Sequence, residues 1–267
     1  MPKDNDLQAT ILGGSCLVGE ESPFVGEQAI LTTSQTLSRD LAVYFPKINL
    51  RRIPKSTRLA LLTAAKALDC AKAFPCPEKC GLALAVPYAS PQSSLDFMDS
   101  ILDSGPKLSS PTAFSYSVAN MDAGILSQHL GLHGSCLTVS QFEASFVGAL
   151  TSAILCLDQG LTDMMLVGLS LAQDARLERL LASHNHVYPN LDVAIFLVLV
   201  AQSSAKQVSL RFGAESSSAD LENAADAADT SFSLVQKLFQ AVCKQEALDL
   251  SFRDLNSQSS CQLSYQP

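Results

Sequence analysis

From Glu143 to Leu157 the apolar positions Phe146, Ala149, Leu150, Ala153, Ile154 and Leu157 recur at helical spacing, while Ala144, Val147 and Gly148 leave the other side apolar or small. A helix without a polar face has to be buried, so the rest of the chain must supply the layers that enclose it. The segments around it look suited to that. Short apolar runs at 10–19, 82–86, 136–140, 164–167, 192–200 and 207–212 read as strands. Helical patterns fall between them. One begins at Ser56, a plausible N-cap, carries Leu59, Leu62, Ala65 and Leu68 on one face, and cannot pass Pro75 and Pro77. A second, over 94–102, aligns Leu95, Met98, Ile101 and Leu102 and ends at Gly105-Pro106. A third runs from Met121 to His129, with Asn120 placed to cap it and Gly131 to close it.

Strands alternating with helices predict an α/β domain with a mixed, mainly parallel five-stranded sheet covered by helices, its last two strands forming a hairpin. The domain is expected to span 1–213. A linker and an amphipathic C-terminal helix follow over 214–255, the helix marked by Leu234, Val235, Leu238, Phe239 and Val242. The Ser- and Gln-rich tail over 256–267 is expected to be disordered.

Composition limits the function. The formal charge of −8 argues against a nucleic-acid partner, whose phosphates call for clustered basic residues. The longest apolar run, Val193 to Ala201, falls well short of the ~20 residues that cross a bilayer, and the N-terminus has no apolar signal core, so no membrane span and a cytoplasmic location are expected. Among eight cysteines only Cys70, Cys76 and Cys80 cluster, without the second close pair that a zinc site normally has. No cofactor or metal is expected.

Three stretches carry a family resemblance. Arg51-Arg52-Ile53-Pro54-Lys55-Ser56 opens an alanine-rich helix with paired basic residues. Ser110-Pro111-Thr112-Ala113-Phe114 leads through Asn120 to Ala123-Gly124. Gly131-Leu132-His133-Gly134-Ser135-Cys136-Leu137-Thr138-Val139 is followed by Gly160-Leu161-Thr162-Asp163 and Leu166-Val167-Gly168. Together they resemble the N-terminal half of the β-ketoacyl synthases, the thiolase-like condensing enzymes of fatty acid and polyketide synthesis, over roughly residues 8 to 212.

The resemblance implies a nucleophilic cysteine just after the Thr138-Val139 strand, where this chain has Glu143. A carboxylate at a helix N-terminus is favoured by the same field that favours a thiolate, but it cannot form the reactive thioester. Cys136 and Cys156 belong to the preceding strand and the helix itself. The family's two catalytic histidines lie in a C-terminal half that has no counterpart here. His129 and His133 precede the nucleophile position, His184 and His186 follow it in no matching motif, and all four read as surface or loop histidines.

Losing both groups is what the family's chain-length factors imply: non-catalytic subunits, short ones accompanying aryl polyene synthases, that pair with a full-length β-ketoacyl synthase and meet acyl carrier protein through the complex. The resemblance further implies partner pairing along Cys136, Leu137, Thr138, Val139 and Ser140. It also implies a substrate tunnel shaped by Ala113, Phe114 and Ser117, with Phe97 and Met98 on the preceding helix; the competing reading makes these five ordinary core residues. Two other functions fit part of the sequence. One is a decarboxylase-like relative that primes malonyl carrier protein, against which stand Glu143 in place of an amide and the missing histidines. The other is a structural protein reusing the half-fold.

Overall fold

The computed structural model describes residues 6–19, 30–49, 51, 53–89, 91–171, 174–182, 192–201, 207–212, 237, 248–253 and 260–266. In chain order the elements are β1 (Asp6–Gly19), β2 (Ile30–Thr32), α1 (Ser34–Tyr44), α2 (Lys55–Cys70), β3 (Cys80–Ala85), α3 (Pro91–Ser104), α4 (Pro111–Ser117), α5 (Met121–Leu130), β4 (Cys136–Val139), α6 (Ser145–Asp158), β5 (Met164–Leu171), α7 (Ala175–Ala182), β6 (Val193–Val200), β7 (Gln207–Phe212), β8 (Leu248–Arg253) and β9 (Ser260–Gln266).

The strands join one sheet in the order β4-β3-β5-β6-β1-β7-β9-β8, with β2 alongside β1. β5 and β6 are buried almost throughout because helices cover both faces, and their unbroken apolar sequences follow from that. On one face α2 packs with α1 and α5 around Leu62, Leu68, Leu82, Leu126 and Phe196. On the other α6 lays Phe146, Leu150 and Ile154 over Val167, Ile195 and Leu197. Gly168 is required where the Phe196 ring lies against its backbone, in space a Cβ would take.

The α/β half-fold and its mixed five-stranded portion, β4-β3-β5-β6-β1, match the expectation; the parallel share does not. β3 is parallel to β4 and β5, but β6 runs antiparallel to both β5 and β1. The expected hairpin is also absent. β1 is long enough to lie between β6 and β7, pairing along Thr10–Val18 with β6 and Asp6–Thr10 with β7. At a register shift between Ile11 and Gly13, Leu12 is exposed between buried neighbours.

At the C-terminus the disorder expectation fails. β9 pairs with β7 and β8, extending the sheet beyond the boundary at 213, and Tyr265 is fully buried in the α6-side core. The apolar/polar alternation from 260 to 266 carried this strand, and the Ser and Gln content masked it. β8 likewise occupies part of the span read as linker and helix. The helix expected over 234–242 lies, apart from Lys237, outside the described residues. α2 begins at Lys55 after Pro54, with no side-chain cap; the fixed φ of proline sets the entry that Ser56 was expected to provide. Asn120 stands at the N-cap of α5 but makes no capping bond, while Gly131 closes the helix in the left-handed region at φ +68°. Among the described residues no helix is long and apolar enough to cross a membrane.

Candidate functional site

Between β4 and α6 lies a short 3₁₀ turn, Phe142–Ala144, in the stretch where the resemblance implied a nucleophile. Ser145, fully buried as the first residue of α6, holds it: the hydroxyl donates to the Phe142 carbonyl at 2.7 Å and accepts from the Gln141 N–H at 2.7 Å. The Ala144 N–H adds a bond to the Gln141 carbonyl at 3.0 Å. Phe142 sits in the left-handed region at φ +49°, a conformation that costs a non-glycine residue roughly 1–3 kcal/mol and persists only where its surroundings hold it. Its exposed ring meets Tyr88 at 5.8 Å in an edge-on arrangement. One helical turn on, Gly148 lets α6 approach the strand, since a Cβ there would come within 2.8 Å of Gln141 Oε1 and 2.9 Å of Val139 Cγ1.

Glu143 stands in the middle of this turn, ahead of the buried helix, as its sequence position implied. The nearby cysteines are placed as expected. Cys136 opens β4, its thiol directed to the Ala123 carbonyl at 3.8 Å and pushed up by desolvation, and Cys156 is buried inside α6. His129 packs edge-on against Phe45 with ring centres 6.1 Å apart, and His133 is exposed after α5. His184 and His186 lie outside the described residues.

β4 is the edge of the sheet. Among the described residues it pairs with β3 on one side only, with Cys136 and Ser140 exposed and Leu137, Thr138 and Val139 half-buried. The five tunnel candidates sit on α3 and α4, neither of which buries a residue, so the core reading of these positions fails within this chain. Phe97 and Phe114 come together at 5.2 Å between ring centres, Phe114 is 55% exposed and Met98 52%. Ala113 is half-buried on α4, its N–H bonded to the Ser110 hydroxyl, and Ser117 donates to the Phe114 carbonyl at 2.8 Å. Leu102 of the same apolar stripe is exposed too, as are Leu108 and Val118, which sequence reasoning passed over. Arg176 ties α3 to α7 by ion pairs to Asp96 and Asp99, both at 2.7 Å.

A cavity of about 330 Å³ between the start of α2 and the C-terminal ends of β3 and β5 was also missed. Lys55 and Asp192 close one side with a 2.6 Å ion pair. Asp122 forms another wall, accepting from the Thr57 hydroxyl at 2.6 Å; burial pushes its carboxyl up, and the hydrogen bond only partly opposes this. Asp122, between Asn120 and Ala123-Gly124, is an acid on the buried face of α5, which was the signal available.

The fold and the turn at its centre define a condensing-enzyme half domain. The model of the β-ketoacyl synthase N-terminal domain matches residues 9–174, and the chain belongs to that family. In particular, the fold is similar to that of a chain in the ishigamide ketosynthase/chain length factor (TM-score 0.65, 15% identity, covering 97% of this chain and 99% of that chain). It is similar as well to a chain of AntDE:AntF, a type II polyketide acyl-carrier protein in complex with its ketosynthase bound to the hexaketide (0.67, 14%, 97% and 99%). A third likeness is to a chain of the ketosynthase ApeO in complex with its chain length factor ApeC from Xenorhabdus doucetiae (0.63, 15%, 98% and 100%). At these identities the likeness is one of fold. No curated protein matches the sequence.

Proposed function

We propose that this chain is a non-catalytic chain-length-factor subunit, which pairs with a full-length β-ketoacyl synthase and shapes its acyl or polyene tunnel in polyketide or aryl polyene biosynthesis. The observation that carries the reading is Glu143 on the turn between β4 and α6: the family's half-fold is kept, and the residue that would accept the acyl chain is replaced by one that cannot form a thioester. Three similar folds come from ketosynthase complexes, two of which name a chain length factor, and each matches over nearly the whole of both chains.

Pairing through the β4 edge has physical support. An unpaired edge strand is a template for another strand, and the exposed apolar surface of α3 and α4 gives a partner something to cover. Phe97, Met98, Ala113, Phe114 and Ser117 then form the tunnel wall this subunit contributes, and condensation rests on the partner's cysteine. Acyl carrier protein meets the complex, and this chain itself needs no cofactor or metal.

Co-expression with a full-length β-ketoacyl synthase tests the proposal. The chain alone should run as multimers or precipitate, and with its partner it should elute as one discrete complex. A stable monomer that ignores the synthase on a sizing column overturns it.

A further inference from the structure

Cys76 and Cys80 have no place in the proposed function, yet the fold brings them together. They flank the turn that leads from α2 into β3, closed by a 3.1 Å bond from the Cys80 N–H to the Pro77 carbonyl. Cys80 is fully buried at the start of β3, and Cys76 is half-buried against the same core. The Cys80 S–H has two acceptors within reach, the Gly81 carbonyl at 3.7 Å and the Cys76 sulfur. Cys70, third member of the sequence cluster, is exposed at the end of α2, and among the described residues no three metal-ligating side chains gather.

We propose that Cys76 and Cys80 are a hydroperoxide-sensitive dithiol that closes to an intramolecular disulfide. The asymmetry of the pair sets the order of events. The hydrogen bond from Cys80 lowers the Cys76 thiol below its ordinary range against the opposing effect of burial, while the same contact and burial raise that of Cys80. Cys76 is also the one of the two that a peroxide can reach, since Cys80 is fully buried, so Cys76 is the thiolate that attacks.

The Cys76 thiolate attacks one oxygen of the hydroperoxide and the O–O bond breaks. The other oxygen leaves with a proton as water or alcohol, and Cys76 becomes a sulfenic acid. The Cys80 sulfur then attacks the Cys76 sulfur, and its proton departs with the sulfenic oxygen as water. Two electrons pass from the sulfurs to the peroxide, which is reduced as the disulfide forms.

The sequence provides a clean readout, because trypsin cutting after Lys79 separates the two cysteines into different peptides. The reduced full chain, with its partner if that is needed for solubility, is treated with hydrogen peroxide, alkylated, digested and analysed by mass spectrometry. The expected product is a cross-link joining the peptide 73–79 to the one beginning at Cys80, lighter by two hydrogens and reversed by dithiothreitol. Without peroxide, Cys76 should alkylate ahead of the more exposed Cys70. Cys76→Ser should abolish the cross-link and leave Cys80 a free thiol, whereas Cys80→Ala should leave Cys76 as a sulfenic acid trapped by dimedone. Cys76→Ser changes a half-buried side chain and keeps the test readable if the core variant does not fold. Full alkylation of both cysteines after peroxide, or a cross-link running to Cys70, overturns the proposal.

Discussion

α3 and α6 are helices of the same length, fourteen residues each, and both carry an apolar stripe at helical spacing, yet their fates are opposite. α6 buries most of its side chains against β3, β4, β5 and β1, whereas α3 buries none. The difference lies in what surrounds the stripe. On α6 the remaining positions are mostly small or apolar, among them Val147, Gly148, Thr151, Ser152, Leu155 and Cys156, and sheet strands stand along the helix. On α3 they are, apart from Pro91 and Phe97, Gln, Ser and Asp, and Met98 and Leu102 are left in the open. A stripe shows that a helix has an apolar side; its neighbours decide whether this chain or another covers it.

Truncation should therefore be costly on α6 and cheap on α3. Leu150→Ala removes a fully buried side chain and should destabilise the chain by about 2–5 kcal/mol, read as a lowered denaturant midpoint. Gly148→Val should also be damaging, because the added atoms meet Gln141 and Val139 where α6 enters against the strand; the loss should appear in both folding and assembly. If Leu150→Ala changes stability no more than a surface substitution does, the contrast between the helices is wrong.

Phe114→Ala is the matching change on the exposed side. It should leave the chain's own stability within about 1 kcal/mol, since more than half of the ring faces solvent. In the complex it should lengthen the product with assembly intact, and Phe97→Ala, whose ring it touches, should act in the same direction. Unchanged product lengths in both variants would remove these residues from the tunnel wall.

The contrast also marks how far the sequence could be read. The buried helix, the α/β alternation and the Thr138-Val139 strand were all legible, because each rests on local periodicity or on a contiguous motif, although the helix read from Glu143 begins at Ser145 after a 3₁₀ turn. What was not legible depends on partners distant in the chain. That β1 inserts between β6 and β7 follows from its pairing on both edges, which no local pattern states. Tyr265 reaches the core because β7 was still open on one side, and the Ser and Gln composition of the tail spoke against it. Thr57 and Asp122 meet across 65 residues, and Cys76 and Cys80 meet only because the turn between them closes.

Asp122 gives a test of smaller effect. Its folded carboxyl titrates above the ordinary aspartate range because it is buried, so the folded chain holds this proton more tightly than the unfolded one. The stability it contributes is full below the ordinary aspartate pKa and is lost as pH rises through the raised folded value. Asp122→Asn keeps an oxygen for the Thr57 hydroxyl and removes the titration. The variant should gain on the parent at neutral pH and lose that advantage on acidification, followed by urea midpoints from pH 7 down to pH 4. A pH-independent difference would mean that the carboxyl does not titrate as its burial indicates.

The smallest effect is expected at Glu143, where the reading of function is most exposed to failure. Acyl transfer needs a nucleophile whose adduct stays reactive, a site that stabilises the oxyanion, and histidines for decarboxylation. A glutamate on the turn before α6 supplies none of these, although its charge is favoured there by the helix dipole at roughly 0.3–1 kcal/mol. Glu143→Gln keeps the shape and removes the charge. It should cost no more than that in stability or assembly, and turnover by the intact complex should persist. On the proposed reading Glu143→Cys should restore a thiol without restoring a second active site, since His129 and His133 are the only histidines among the described residues and neither lies on this turn. Mass spectrometry of the complex after incubation with acyl carrier protein should find the acyl adduct on the partner's cysteine and none on this chain. An adduct on this chain, or turnover abolished in an assembled Glu143→Gln complex, would make this turn a working part of the chemistry and end the non-catalytic reading.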